Sequence, residues 1–230
     1  MIKTIITARN LTKIYRTMFD SITVFENLNV KIEEGSAVAI IGQSGLGKTT
    51  MLNILSGLDS PTSGEVIFND SRIDNIDEEK LSEFRNKNVG FIFQHHYLLE
   101  DFTALDNVLI PLRIKGVIID EPVKEYAREL LDSVGLLNRQ YHYPDQLSGG
   151  ERQRIAIVRA LIHEPLVIFA DEPTGSLDRR NAENIEVLIW SLKEKFNKTF
   201  IIATHNMEIA AKCDRVIDLG SIRANSKKGD

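Results

Sequence analysis

Eight consecutive residues, Gly42-Gln43-Ser44-Gly45-Leu46-Gly47-Lys48-Thr49, have the spacing G-x-x-x-x-G-K-T of a loop that cradles phosphate. Gly42, Gly45 and Gly47 let the backbone curl so that successive N–H groups converge on an anion, and a helix beginning after the loop, with Thr50 in its first turn, presents its positive end to the same charge. Lys48 adds a point charge toward the β- and γ-phosphates, and the Thr49 hydroxyl is suited to ligate Mg²⁺. Farther along, the apolar run Leu166-Val167-Ile168-Phe169-Ala170 ends in Asp171-Glu172. That puts two carboxylates at the C-terminal end of a buried strand, where open α/β sheets bind their ligands. Asp171 is suited to hold Mg²⁺ and Glu172 to take a proton from an attacking water, so the chemistry implied is hydrolysis of a nucleoside triphosphate.

These residues need strands and helices to position them, and the sequence supplies both. Short apolar runs predict strands at Val38 to Ile41, Glu65 to Phe68, Val89 to Phe93, Leu166 to Ala170, Phe200 to Ala203 and Arg215 to Leu219. Between them, Val123, Ala127, Leu130, Leu131 and Val134 repeat at helical spacing, as do Ile185, Leu188, Ile189 and Leu192 after the candidate cap Asp178. Both stripes are core faces. The alternation implies a mainly parallel sheet wrapped by helices. From about His95 to Gln146 the pattern is helical throughout, which marks a helical subdomain inserted into the α/β core. Ser60 to Gly64 and Asn69-Asp70 read as turns, and Ala224 to Asp230 as a frayed tail.

Composition agrees. A chain of 230 residues, 43% hydrophobic and 27% charged, is ordinary for a globular α/β protein. A formal net charge of −5 argues against nucleic acid as a partner. The single Cys213, read as a plain helix residue, suits a reducing cytosol. No stretch reaches the roughly 18 apolar residues of a membrane helix, and Met1-Ile2-Lys3-Thr4 lacks the pattern of a secretory signal. Any role at a membrane therefore requires a partner.

Six motifs then occur in a fixed order: the phosphate loop, Phe93-Gln94 after a strand, Leu147-Ser148-Gly149-Gly150-Glu151, Asp171-Glu172-Pro173-Thr174, Ser176-Leu177-Asp178 and Ala203-Thr204-His205. In these the chain resembles the nucleotide-binding subunits of ABC transporters, from about Ile5 to Ile222. The resemblance implies a P-loop NTPase core of the RecA-like type, with an N-terminal antiparallel β part. Residues 1–94 and 149–230 would form the core and 95–148 the helical subdomain. It implies that ATP and Mg²⁺ are bound and that ATP is hydrolysed. Tyr15 would stack on adenine, a contact that tolerates ATP and GTP alike. Gln94 would sense Mg²⁺ and the attacking water, and His205 would contact the γ-phosphate. Ser148, with Gly149 and Gly150, would cap the γ-phosphate bound by a second copy of the chain, and Asp178 would connect the two sites of that dimer.

A narrower resemblance, carried by Phe91 to Val108 with Glu83-Phe84-Arg85-Asn86 before it and Asp171 to Asp178 after it, is to the ATPase subunits of bacterial lipoprotein-releasing systems. It implies integral membrane subunits as partners, lipoproteins as indirect cargo, and a peripheral position on the cytoplasmic face of the inner membrane. Exporters of macrolides or antimicrobial peptides, and a non-transporting cell-division ATPase, share most of these motifs. Glu100-Asp101-Phe102-Thr103 favours lipoprotein release over both. Three departures stand out: Leu46 at a position usually small, whose role is to donate its backbone N–H; the apolar Met18 and Phe19; and a terminal hairpin around Gly220 that looks short by about one residue. His95 and His96 are adjacent and diverge, with no metal-ligand spacing around them. Arg152, Arg154 and Arg159 read as a solvated or phosphate-adjacent face.

Overall fold

The computed structural model describes residues 3–17 and 20–226, the last four of them by backbone alone; Met18 and Phe19 lie outside the described residues. In chain order the elements are β1 (Thr4–Arg16), β2 (Ser21–Glu33), β3 (Ala37–Ile41), α1 (Lys48–Ser56), β4 (Ser63–Phe68), β5 (Ser71–Arg72), α2 (Glu78–Asn88) and β6 (Val89–Ile92). After them come α3 (Ala104–Ile114), α4 (Glu121–Ser133), α5 (Gly149–Leu161), β7 (Val167–Asp171), α6 (Arg179–Phe196), β8 (Thr199–Ala203), α7 (Met207–Ala211), β9 (Arg215–Asp218) and α8 (Leu219–Ser226). The chain divides into two compact units, Met1–Ser82 with Thr199–Asp230, and Glu83–Lys198.

In the first unit β8, β3 and β9 run parallel in that order, with Ile40 paired to both Ala203 and Ile217. β3 (Ala-Val-Ala-Ile-Ile) and β8 (Thr-Phe-Ile-Ile-Ala) are nearly unbroken apolar runs, as strands covered on both faces require, and nearly every residue of both is buried. β1 pairs antiparallel with β2 on one side and β4 on the other. Asn69 and Asp70 close the β4–β5 hairpin with φ of 45° and 64°, the positive values that a two-residue turn of this hand requires. The expected α/β architecture with an antiparallel N-terminal part is present.

In the second unit β6 and β7 pair in parallel, Ile92 beside Ala170. Residues 95–148 contain α3, α4 and two short 3₁₀ turns, and no strand. Their apolar faces share one buried cluster with α5, which includes Val108, Leu109, Ala127, Leu130, Leu131, Ile155 and Val158. Each helix starts at a side-chain cap: Thr103 accepts from Asp106 N, Asp120 from Val123 N and Asp178 from Asn181 N. The stripes predicted from Val123 and from Ile185 are the buried faces of α4 and α6.

Three expectations are corrected. The C-terminal hairpin is a helix: Asp218 at the end of β9 accepts from Gly220 N at 2.8 Å and from Ser221 Oγ at 2.6 Å, which turns the chain into α8 instead of back along the sheet. Ala224 to Ser226 belong to that helix and are not a frayed tail, while 227–230 lie outside the described residues. Cys213 sits in a bend just after α7, not in a helix.

Candidate functional site

The loop between β3 and α1 is shaped by glycine. Gly47 has φ +96°, and a Cβ placed on it would lie 2.1 Å from Val24 Cγ1 on β2, so neither the backbone angle nor the space admits a side chain. No side chain caps α1, so the amides of its first turn, which have no acceptor inside the helix, face the loop with the dipole's positive end. Lys48 is buried and folds back so that Nζ donates to Gly42 O at 3.0 Å. This holds an ammonium over the same concavity. The Leu46 N–H, expected to point at a ligand, instead closes the loop's own turn on Gln43 O at 3.2 Å.

Tyr15 stands on the β1–β2 hairpin, paired with Ile22, near the Val24 against which Gly47 rests. Its hydroxyl donates to Asp59 Oδ2 at 2.9 Å, and the Lys13 ammonium lies 4.7 Å from its ring centroid while donating to Asp59 Oδ1 at 2.8 Å and to Ser60 O at 2.7 Å. Burial pushes the Asp59 carboxyl up, but the hydrogen bonds from Lys13 and Tyr15 outweigh it and hold the group below its ordinary value. The ring is thereby fixed at its hydroxyl and on one side, yet remains 43% exposed. His205, also exposed, follows β8. Because β8 pairs with β3 in parallel, and Thr204 N donates to Ile40 O at 3.0 Å, His205 and the glycine loop leave the same edge of the sheet.

The second unit repeats this logic with different groups. β6 and β7 end side by side, so Gln94 and the pair Asp171-Glu172 emerge from one edge. Glu172 adopts φ +44°, a left-handed conformation that costs a non-glycine residue on the order of 1–3 kcal/mol and that tends to occur at functional sites. Gly175 N donates to Glu172 O at 3.0 Å. A Cβ on Gly175 would lie 3.1 Å from Gln94 Nε2 and 3.4 Å from Glu172 Cβ, so the Gln94 amide lies over this glycine beside Glu172. Ser176 Oγ donates to Gln94 O at 2.8 Å.

Ser148 is the N-cap of α5 in a reciprocal capping box. Its hydroxyl accepts from Glu151 N at 3.3 Å, and its own N–H donates to Glu151 Oε2 at 2.8 Å. That backbone hydrogen bond, more than the nearby Arg139, keeps the Glu151 carboxyl below its ordinary value. Ser148 is exposed at the positive end of the helix, while Gly150 is buried, where a Cβ would come within 2.9 Å of Asn181 Oδ1. Asn181 in turn donates through Nδ2 to Asp178 Oδ2 at 2.6 Å. Gly150 and Asp178 are therefore both met by Asn181, a residue that sequence reasoning did not single out.

The sequence-predicted residues thus form two sets. Tyr15, Gly42 to Thr50 and His205 belong to the first unit; Gln94, Ser148 to Gly150, Asp171, Glu172 and Asp178 belong to the second. The proposed Mg²⁺ donors Thr49, Asp171 and Gln94 each carry a side-chain oxygen, the donor type that suits this ion. The three arginines after the signature do not form a solvated face. Arg152 donates to Leu147 O at 2.7 Å, Arg154 to Val134 O at 3.4 Å, and Arg159 to His96 O and Tyr97 O at 2.6 and 2.7 Å. Each ties α5 to a loop. Sequence reasoning also passed over Asn107, fully buried, whose amide accepts from Leu99 N at 2.8 Å and donates to the carbonyls of Leu99, Phe102 and Thr103, shaping the 99–103 segment. A lone polar residue inside the apolar stripe of α3 was its one signal.

Comparison with known proteins gives a consistent answer. The family model described as ABC transporter matches residues 25–175. A lipoprotein-releasing system ATP-binding protein LolD from Treponema denticola is 47% identical over 214 residues, 93% of this chain and 94% of the relative. The dimeric structure of MJ0796, described as a bacterial ABC transporter cassette, is similar with a TM-score of 0.85 at 40% identity, covering 93% of each chain. A dimeric post-hydrolysis state of that cassette, bound to ADP and Pi, also has a TM-score of 0.85, at 39% identity over 93% of each chain.

Proposed function

The chain belongs to the ABC transporter family, as an ATP-hydrolysing cassette, and we propose that it powers lipoprotein release from a bacterial inner membrane as a dimer bound to integral membrane subunits. The observation that carries this reading is the 47% identity, over nearly the whole of both chains, to a relative named for lipoprotein release. The segment around Glu100-Asp101-Phe102-Thr103 supports it. No helix among the described residues is long and apolar enough to cross a membrane, so in this reading contact with the bilayer runs through the partner subunits, with the chain on the cytoplasmic face.

In the mechanism we infer, N–H groups of the loop from Gly42 to Thr50 other than that of Leu46, together with the Lys48 ammonium, hold the ATP phosphates, and the exposed face of Tyr15 stacks on the base. Thr49, Asp171 and Gln94 would hold Mg²⁺, which would supply positive charge to offset that of the phosphates. Glu172 takes the proton of the attacking water, while Gln94 and His205 fix that water in line with the γ-phosphate. Ser148, Gly149 and Gly150 place a helix N-terminus against the γ-phosphate held by the second copy, and Asp178 links the paired sites. The γ-phosphate then binds both chains, so ATP favours the closed dimer and hydrolysis removes the group that closes it. The helical subdomain 95–148 carries that motion to the membrane subunits.

The test is to capture the Glu172→Gln chain from its native membranes with ATP present and to identify what accompanies it by mass spectrometry. Membrane subunits with large periplasmic domains, together with lipoproteins, support the reading. A cell-division partner, an exporter of macrolides or peptides, or no membrane protein overturns lipoprotein release while leaving the ATPase intact.

A further inference from the structure

Gln153 lies one turn into α5, fully buried, and has no assigned role in the chemistry above. Its Nε2 donates to Pro173 O at 2.7 Å and to Phe93 O at 3.3 Å. The first carbonyl follows Glu172 and the second precedes Gln94. Both acceptors are carbonyls, so only the NH₂ end of the amide can face them, and Oε1 is forced to the opposite side. There the side chain meets the His96 imidazole. Gln153 Oε1 and His96 Nδ1 are each buried without a hydrogen-bond partner. Such orphans are rare and costly in a folded interior. Two such atoms on interacting side chains, one an obligate acceptor and the other a nitrogen that can carry a proton, are matched to complete each other. Farther along the same helix, Arg159 clamps the carbonyls of His96 and Tyr97. α5 therefore grips the segment from Phe93 to Tyr97 at both ends, and Ser148 is its own N-cap.

We propose that Gln153 is a positioning residue for hydrolysis: backed by a hydrogen bond from His96 Nδ1, its amide pins Gln94 to the Glu172 loop and transmits displacement of the Ser148 helix to both. The inference rests on the assignment of Glu172 and Gln94 to the hydrolytic step. Displacing such groups by about 1 Å can cost about 100-fold in rate. Gln153→Met keeps the length and removes the amide. It is expected to lower kcat of the chain's ATPase about 10- to 100-fold while KM for ATP stays within about threefold, because nucleotide affinity resides mainly in the glycine loop.

His96→Phe, which removes the donor and keeps the ring, is expected to lower kcat by about 3- to 10-fold; His96→Asn, which can still donate to Oε1, should restore most of it. The double variant Gln153→Met/His96→Phe should be no slower than Gln153→Met alone, since both act through one bond. Unchanged kcat in Gln153→Met, a proportional change in kcat and KM, or fully multiplicative effects would overturn the proposal. Should Gln153→Met fail to fold, the two His96 variants decide: equal loss in both contradicts the hydrogen bond. Glu172→Gln separates the layers. If it hydrolyses ATP normally, the assignment of the base fails; if it is inactive while Gln153→Met is fully active, only this inference fails.

Discussion

The Gly47→Ala variant tests the geometry of the phosphate loop quantitatively, because its effect divides into two parts. The first is backbone strain: at φ +96° an alanine costs about 1–2 kcal/mol relative to glycine. The second is the clash, since the new Cβ would sit 2.1 Å from Val24 Cγ1, against 3.4 Å for ordinary contact, so roughly 1.3 Å of movement is required. Hydrogen bonds to phosphate hold only over about 2.7–3.2 Å, so a shift of that size breaks the cradle. Gly45→Ala supplies the control, for Gly45 has φ +80° but no protein atom within 4 Å of the added Cβ. Strain alone should weaken ATP binding about 5- to 30-fold there, while Gly47→Ala should lose about 100-fold or more. Adding Val24→Ala removes Cγ1 and leaves the next atom, Val24 Cβ, at 3.6 Å, so the double variant should recover to the level of Gly45→Ala. Titration calorimetry and the ATP-induced rise in Tm measure both affinities. Binding by Gly47→Ala within twofold of wild type, or a double variant no better than the single, refutes the reasoning.

Asn107→Leu strips the 99–103 segment of its anchor; with one N–H and three carbonyls losing partners, some regaining water because Leu99 is 48% exposed, unfolding free energy should fall by about 2–4 kcal/mol in urea, and a loss under 0.5 kcal/mol would count against the anchor. Acidification should destabilise the chain below pH 6.5: burial holds His163 neutral, its folded pKa lying under the ordinary 6.5, so the unfolded chain takes up the proton first and stability is lost as pH falls from 6.5 toward the folded value. His163→Gln keeps a donor for Val89 O without titrating and should flatten that slope, though not abolish it, because His96 is shifted the same way; parallel slopes would contradict the assignment. ATPase activity of the chain alone should rise faster than linearly with its concentration, and strict proportionality down to nanomolar chain would argue against a shared site.

Much of this was legible because it is written in contiguous residues. β3, β7 and β8 are almost wholly apolar runs, the glycine loop and its lysine are adjacent in sequence, and the Asp178 cap immediately precedes α6. The rest depends on what the fold brings together across distance. Gly47 must be glycine because of Val24, 23 positions earlier on another element, and periodicity holds no trace of that contact. Gln153, Asn107 and Asn181 read as ordinary polar residues until their carbonyl partners, or the Gly150 Cα, come into view. The arginines after Ser148 repeat at a spacing that suggests an outward face, yet each finds a backbone carbonyl, because α5 is surrounded by loop ends that need donors. The last helix was missed for a local reason: one aspartate, Asp218, accepts from two residues ahead and turns a strand into a helix, an effect no run of apolar residues announces.

The central claim is that one chain holds only part of each hydrolytic site and that ATP joins two chains. Its most direct test is light scattering on the purified Glu172→Gln chain with and without ATP, alongside Glu172→Gln/Ser148→Arg. The account predicts twice the mass of one chain when ATP is present, the mass of one chain when it is absent, and no doubling with ATP in the variant that lacks Ser148. A Glu172→Gln chain that binds ATP and stays at the mass of one chain would contradict it.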